Sequence, residues 1–343
     1  MIGLGLSPAA DRSAHALRLS WVLMAGLMGA TVLALGLGAA SVSLPRVLAD
    51  LLAGRGVAPQ DHLVLMQIRL PRLIMGGLIG AALGVSGALM QGLFRNPLAD
   101  PGLVGVGAGA GLGAVLAIVL GASWAISVPL AAFVGAWGAV VLLYRVATRG
   151  GQTSVAVLLL AGVALAALAG AATGVLVYLA DDRQLRDLTF WSMGSVAGAS
   201  WEKCLWAGAF ILPVLLLAPR LGAGLNALAL GEAAARHIGH PVQRLKTLTV
   251  LAVAAATGAA TAAAGGIGFI GIVVPHLLRL ASGPDHRHLL PNAALLGATL
   301  LILADTAARL VVAPAELPIG ILTALLGAPV FLWILLRQAR WEA

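Results

Sequence analysis

The sequence predicts an all-α membrane protein with about ten transmembrane helices, and three of its features carry that reading. Of 343 residues, 60% are hydrophobic and only 10% charged, whereas a soluble domain carries about 25% charged residues. The apolar residues gather into runs close to the roughly 20 that a helix needs to cross the hydrocarbon core. Inside that core each backbone has to satisfy its own hydrogen bonds, which selects helices over open sheets. The third feature is the 44 glycines, set among many alanines. Helices in lipid associate through close backbone packing, and small residues permit it.

In chain order, apolar spans fall at about 18–40, 64–93, 101–121, 124–146, 153–180, 201–218, 247–267, 268–280, 291–312 and 319–336, as a hydropathy window reads them. The first follows Arg12 and Arg18 and exceeds the apolar core of a signal peptide, about 7–15 residues. It therefore reads as an uncleaved helix behind a cytoplasmic tail at 1–17. In the second span Gly76, Gly80 and Gly84 recur every four residues, which makes a smooth ridge for a neighbouring helix. Ala99-Asp100-Pro101-Gly102 and Ala313-Pro314-Ala315-Glu316-Leu317-Pro318 read as turns. The polar stretch 181–190 reads as a short helix outside the membrane. With the N-terminus inside, loop and helix-end Arg and Lys divide 13 inside to 8 outside, which places both termini in the cytoplasm. The longest polar inside segment is 231–246, and one domain over 1–343 is expected.

The chemistry that the sequence lacks narrows the function. The single Cys204 excludes an internal disulfide and a cysteine metal cage. The net charge of +8 sits at helix ends, where topology and lipid headgroups account for it without nucleic acid. Gly84-Val85-Ser86-Gly87 matches the G-x-S-G of intramembrane serine proteases, with His276 as a conceivable base. A nucleophile needs its base within hydrogen-bond reach, and small residues on a packed helix explain the run better. The glycine-rich 107–113 lacks a preceding strand and the full dinucleotide fingerprint. His286 and His288 read as a solvated loop pair, not as metal ligands. Asp305, the one acid deep in an apolar span, stands four residues before Arg309 and can pair with it. There is no G-x-x-x-x-G-K-[ST], so any ATP that drives this chain is hydrolysed elsewhere.

A longer set of motifs follows in order: Arg69-Leu70-Pro71-Arg72, Gly80 to Gly87, and Arg95-Asn96-Pro97-Leu98-Ala99-Asp100-Pro101-Gly102. Gly268-Phe269-Ile270-Gly271, Pro275-His276, Arg279, Ala304-Asp305-Thr306, Arg309, Glu316-Leu317-Pro318-Ile319-Gly320 and Gly327-Ala328-Pro329 come later. With these the chain resembles, from its second helix onward, the FecCD family of ABC-importer permeases for iron–siderophores, haem and cobalamin.

The resemblance implies the type II ABC importer permease fold in a bacterial inner membrane. It also implies a homodimer, two cytoplasmic ABC ATPase subunits holding ATP and Mg, and a periplasmic substrate-binding protein. This chain would bind no cofactor or metal and catalyse no covalent chemistry. The family's ATPase-coupling segment aligns with Gly231, Glu232, Ala235, Arg236 and Gly239; an ordinary amphipathic loop helix is the alternative. Arg69, Arg72 and Arg309 match its rim arginines for docking the binding protein, against a simple anchoring role. Asn96 and Leu98 match one cytoplasmic gate and Thr153 and Ser154, more loosely, the other; helix capping is the competing role. The segment 185–195 is closest to the haem-importing branch, with ferric siderophore or cobalamin as alternative cargoes. An ion-coupled secondary transporter is the rival of another class, and it would need ionisable residues or broken helices at the midplane.

Overall fold

A computed structural model describes residues 9–38, 42–121 and 127–342. Residues 1–8 of the expected tail, the last two of the first predicted span and 124–126 of the fourth lie outside the described residues. The chain runs through α1 (Ala9–Gly36), α2 (Leu44–Leu52) and α3 (Pro59–Leu63), then through a π-helical turn, Val64–Arg69, into α4 (Leu70–Phe94). After a 3₁₀ turn at Pro101–Val104 come α5 (Val106–Val119) and α6 (Ser127–Ala147). A two-stranded hairpin, Thr148–Arg149 paired with Gln152–Thr153, leads into α7 (Val155–Leu179). Then follow α8 (Asp182–Ser192), α9 (Trp201–Leu217), α10 (Gly222–Ala229), α11 (Glu232–His237) and α12 (Val242–Ala264). The last three are α13 (Ile270–Ser282), α14 (His286–Val311) and α15 (Ile319–Glu342).

Seven of the described helical segments are long and apolar enough to cross a membrane, and three shorter apolar helices (Val106–Val119, Ile270–Ser282, Ile319–Trp333) bring the total to ten. The ten correspond one for one to the spans expected from the sequence. Residues 9–17, expected as tail, are helical and form the first turns of α1. The polar stretch after α7 is the helix α8, started by a capping box between Asp181 and Gln184.

The core is built around α4, whose membrane segment is 78% buried. α14 packs along it, with α12, α13 and α9 around the remaining faces. A methyl group added at Gly80 would overlap the carbonyl oxygen of Gly297, one at Gly84 that of Ala293, and one at Gly87 that of Gly271. The contact ridge is therefore Gly80-Gly84-Gly87. Gly76, expected to belong to it, meets only the Ile302 side chain at 3.8 Å. The glycine-rich start of α5 serves the same purpose, since Gly109 lies against Gly135 and Gly113 against Ala131 of α6. By contrast, α1 and α7 leave most of their apolar surface outward, with 11% and 17% buried.

Candidate translocation and coupling sites

Three arginines from the sequence reading meet at one end of the core. The Arg72 guanidinium, on α4, donates from Nε to both Asp305 oxygens, at 2.8 and 3.0 Å, and from Nη1 to both Glu316 oxygens, at 2.9 Å. Asp305 is also 3.2 Å from Arg309, one turn along α14, so the expected pair forms and Arg72 joins it. Arg309 donates further to the carbonyls of Leu37 and Ala34, at 3.4 and 3.3 Å, and Arg69 donates to that of Leu35. The arrangement ties α1, α4 with the turn before it, and α14 together around arginines withdrawn from water.

These arginines differ from the rim residues the sequence suggested: Arg69, Arg72 and Arg309 are 4%, 5% and 8% exposed. Their forks are engaged by groups of this chain, because an unpaired guanidinium at that depth would be costly. Of the carboxylates, only Glu316 reaches outward, with 41% of its side chain exposed.

The second site lies at the opposite ends of α4 and α6. α11 is bounded by Gly231 and Gly239, at φ of 106° and 94°, a backbone region that a side chain would strain. Glu232 pairs with Arg236 at 3.3 Å, as the spacing suggested, and Ala235 packs against the core with no exposure. Glu232 also lies 2.6 Å from Lys246, an α12 residue only 2% exposed. Lys246 in turn donates to the Thr153 carbonyl at 2.7 Å, while the Gln243 side chain accepts from the Thr153 N–H at 2.9 Å. The sequence reading held Lys246 and Gln243 within the segment 231–246 but gave neither a partner. The signal available was a lysine and an amide one turn apart at the start of an apolar span.

The other residues expected at a gate are engaged in local structure. Ser154 caps α7 by accepting from the Val157 N–H at 3.3 Å. The Asn96 side chain accepts from the Leu98 N–H at 2.9 Å, shaping the exposed turn after α4. Ser154 thus fills the capping role weighed against gating, whereas Asn96 stabilises a turn. Thr153 differs: it is 5% exposed and held through its backbone by α12.

Between α5, α7 and α8 runs a groove of about 440 Å³ lined by small and apolar residues, among them Gly111, Val115, Ala169, Gly170, Leu188 and Trp191. Residues 185–192, the segment that carried the substrate cue, form one of its walls.

The decoys resolve physically. Ser86 is fully buried and its Oγ has no hydrogen-bond partner, so no base activates it. His286 corrects the expectation of a solvated pair. It is 6% exposed, seated against Gly92, and its Nδ1 lies 2.9 Å from Asn226 Oδ1. Beside it the Arg287 guanidinium, with Asn226, holds the Asp285 carboxyl well below the usual carboxylate range. Among the described residues no three His, Cys, Asp or Glu side chains cluster as metal ligands.

Comparison with known proteins gives this geometry its context. Residues 26–337 match the model of the FecCD transport family. The hemin transport system permease protein HmuU of Yersinia pestis is 46% identical over 278 residues, 80% of this chain and 83% of that protein. The vitamin B12 import system permease protein BtuC of Salmonella paratyphi A is 44% identical over 314 residues, 88% and 95% of the two chains. An inward-facing metal-chelate type ABC transporter superposes with a TM-score of 0.84 at 33% identity, covering 93% of this chain and 99% of that one. The chain belongs to the FecCD family, as the membrane-spanning permease subunit of an ATP-driven, binding-protein-dependent importer whose ATPase is a separate subunit.

Proposed function

We propose that this permease imports haem across a bacterial inner membrane, as a homodimer with two ATPase subunits on the cytoplasmic side and a periplasmic binding protein opposite. The observation that carries the cargo assignment is the groove walled by 185–192, together with the 46% identity to a hemin permease. Small and apolar walls suit a large, flat, largely apolar ligand. The vitamin B12 permeases, at 44% identity, keep cobalamin as the second reading, and ferric siderophores as the third. ATP and Mg belong to the partner subunits, and this chain binds neither. Ten crossings would leave both termini on one side, and the excess of inside cations supports the cytoplasm as that side.

In this reading α11, with Glu232, Ala235 and Arg236 between its two glycines, receives the motion of the ATPase. The arginine cluster receives the binding protein. An incoming carboxylate would displace Glu316 from Arg72, the one arginine partner with an exposed side chain. Asn96, Leu98, Thr153 and Ser154 close the pathway at the cytoplasmic end.

Cargo is tested by loading proteoliposomes with the permease, its ATPase and its binding protein, and offering haem, cyanocobalamin and a ferric siderophore in parallel. Haem accumulation with little uptake of the other two is the expected result. Preferential uptake of either competitor would reassign the cargo and leave the importer in place.

A further inference from the structure

The contacts around Thr153 join two regions far apart in sequence. Lys246 is 2% exposed and, among the described residues, has one carboxylate in reach, Glu232 of α11, at 2.6 Å. It also donates to the main chain of the α6–α7 hairpin, at the Thr153 carbonyl 2.7 Å away. An ammonium out of water is held only by partners that match its charge and donors, so neither contact can be released cheaply. Gln243, on the same face one turn earlier, takes the Thr153 N–H at 2.9 Å. Both main-chain groups of Thr153 are therefore engaged by α12. From α6, the Tyr144 hydroxyl bonds to Thr247 and lies 3.3 Å from the Thr153 hydroxyl. The next residue, Ser154, is the N-cap of α7, and α7 contributes Ala166, Ala169, Gly170 and Thr173 to the groove.

We propose that Lys246 is the positioning residue that transmits movement of α11 to the foot of α7. A displacement of Glu232 pulls on the ammonium, the ammonium pulls on the hairpin, and the groove wall shifts with it. The Asn96 and Ser154 side chains bond N–H groups two and three residues on, whereas Lys246 bonds across 93 residues, so the buried lysine carries the connection. The inference rests on the importer reading above, because only in a driven transporter does α11 receive a push.

The test uses the assembled complex in proteoliposomes, with Cys204→Ala and with Gln152→Cys on the exposed hairpin strand. Two quantities are read: the change in maleimide labelling at position 152 between nucleotide-free and ATP-bound complex, and haem accumulated per ATP hydrolysed. Lys246→Met is expected to abolish the nucleotide response and to lower haem per ATP by about tenfold, the order set by losing charge-assisted hydrogen bonds. Lys246→Arg, which keeps charge and donors, is expected to recover part of both. A Lys246→Met complex that keeps the nucleotide response and the haem-to-ATP ratio overturns the proposal. If that variant does not assemble, Glu232→Gln, which removes the α11 half of the link at a partly exposed carboxylate, decides by the same two readouts. The complex with Lys246 and Glu232 intact separates the two failures. If it shows no nucleotide response and no ATP-dependent uptake, the importer reading falls and the link with it; if it responds and the variants respond equally, only the link falls.

Discussion

Asp305 shows how a single acidic residue can organise one end of a membrane bundle. It receives Arg72 from one helix and Arg309 from its own, with both arginines almost fully buried. Replacing it by Asn would leave two guanidiniums competing for carbonyls and for Glu316. Breaking a buried charge pair of this kind costs about 3–5 kcal/mol. Asp305→Asn is accordingly expected to lower the thermal unfolding temperature of the detergent-solubilised protein by several degrees or to prevent its recovery. A melting curve superimposable on that of the unaltered protein would contradict the assignment. Glu316 behaves differently because 41% of its side chain is exposed. Glu316→Gln removes a carboxylate that competes with an incoming one, and is expected to tighten binding-protein capture with little change in stability. Weakened capture, measured by surface plasmon resonance on reconstituted permease at low salt, would show that Glu316 is itself a contact. Charge reversal at Arg69 or Arg72 would be a poor test of docking, since both are buried and their loss would disturb the fold.

At the scale of helices, the packing is set by where side chains are missing. Gly80 faces the Gly297 carbonyl so closely that no methyl fits, whereas Gly107 has open space at the corresponding position. Gly80→Val is expected to separate α4 from α14 and lower the yield of folded protein sharply. Gly107→Ala is expected to be neutral or slightly stabilising, since Ala favours helix over Gly by about 1 kcal/mol. Equal melting temperatures and yields for the two variants would contradict the packing scheme. The ten apolar spans were legible in the sequence because hydropathy and length act locally. The short helix α8 was legible too, since a polar interruption with Asp181 and Gln184 spaced as a capping box is a local signal. α2 and α10 were not: each is short, and what defines them is the surface they rest on. The proposed coupling segment was suggested by the family resemblance and by its place in the longest inside loop, and the Glu232–Arg236 pair by its spacing. The pairing with Lys246 was not, because a pairing between α11 and α12 follows from tertiary packing. The same reason hid the Arg72–Asp305 contact, which spans 233 residues. It also turned the arginines from expected rim groups into buried ones.

For the whole molecule, ten crossings surround a core centred on α4, with charge concentrated at its two ends. Apart from Asp305, which is neutralised by two arginines, the spans lack midplane carboxylates of the sort that ion-coupled transporters use. That fits a permease driven by a separate ATPase, and α11 is the element we propose receives the motion. The family assignment agrees, since its members work with a separate ATPase. The most direct test of that claim is haem uptake into proteoliposomes holding this chain alone, or this chain with its ATPase and binding protein, each with and without internal ATP under an imposed proton or sodium gradient. The account predicts accumulation only in the complete complex and only with hydrolysable ATP, whatever the gradient. Uptake by the isolated chain driven by the gradient would contradict it.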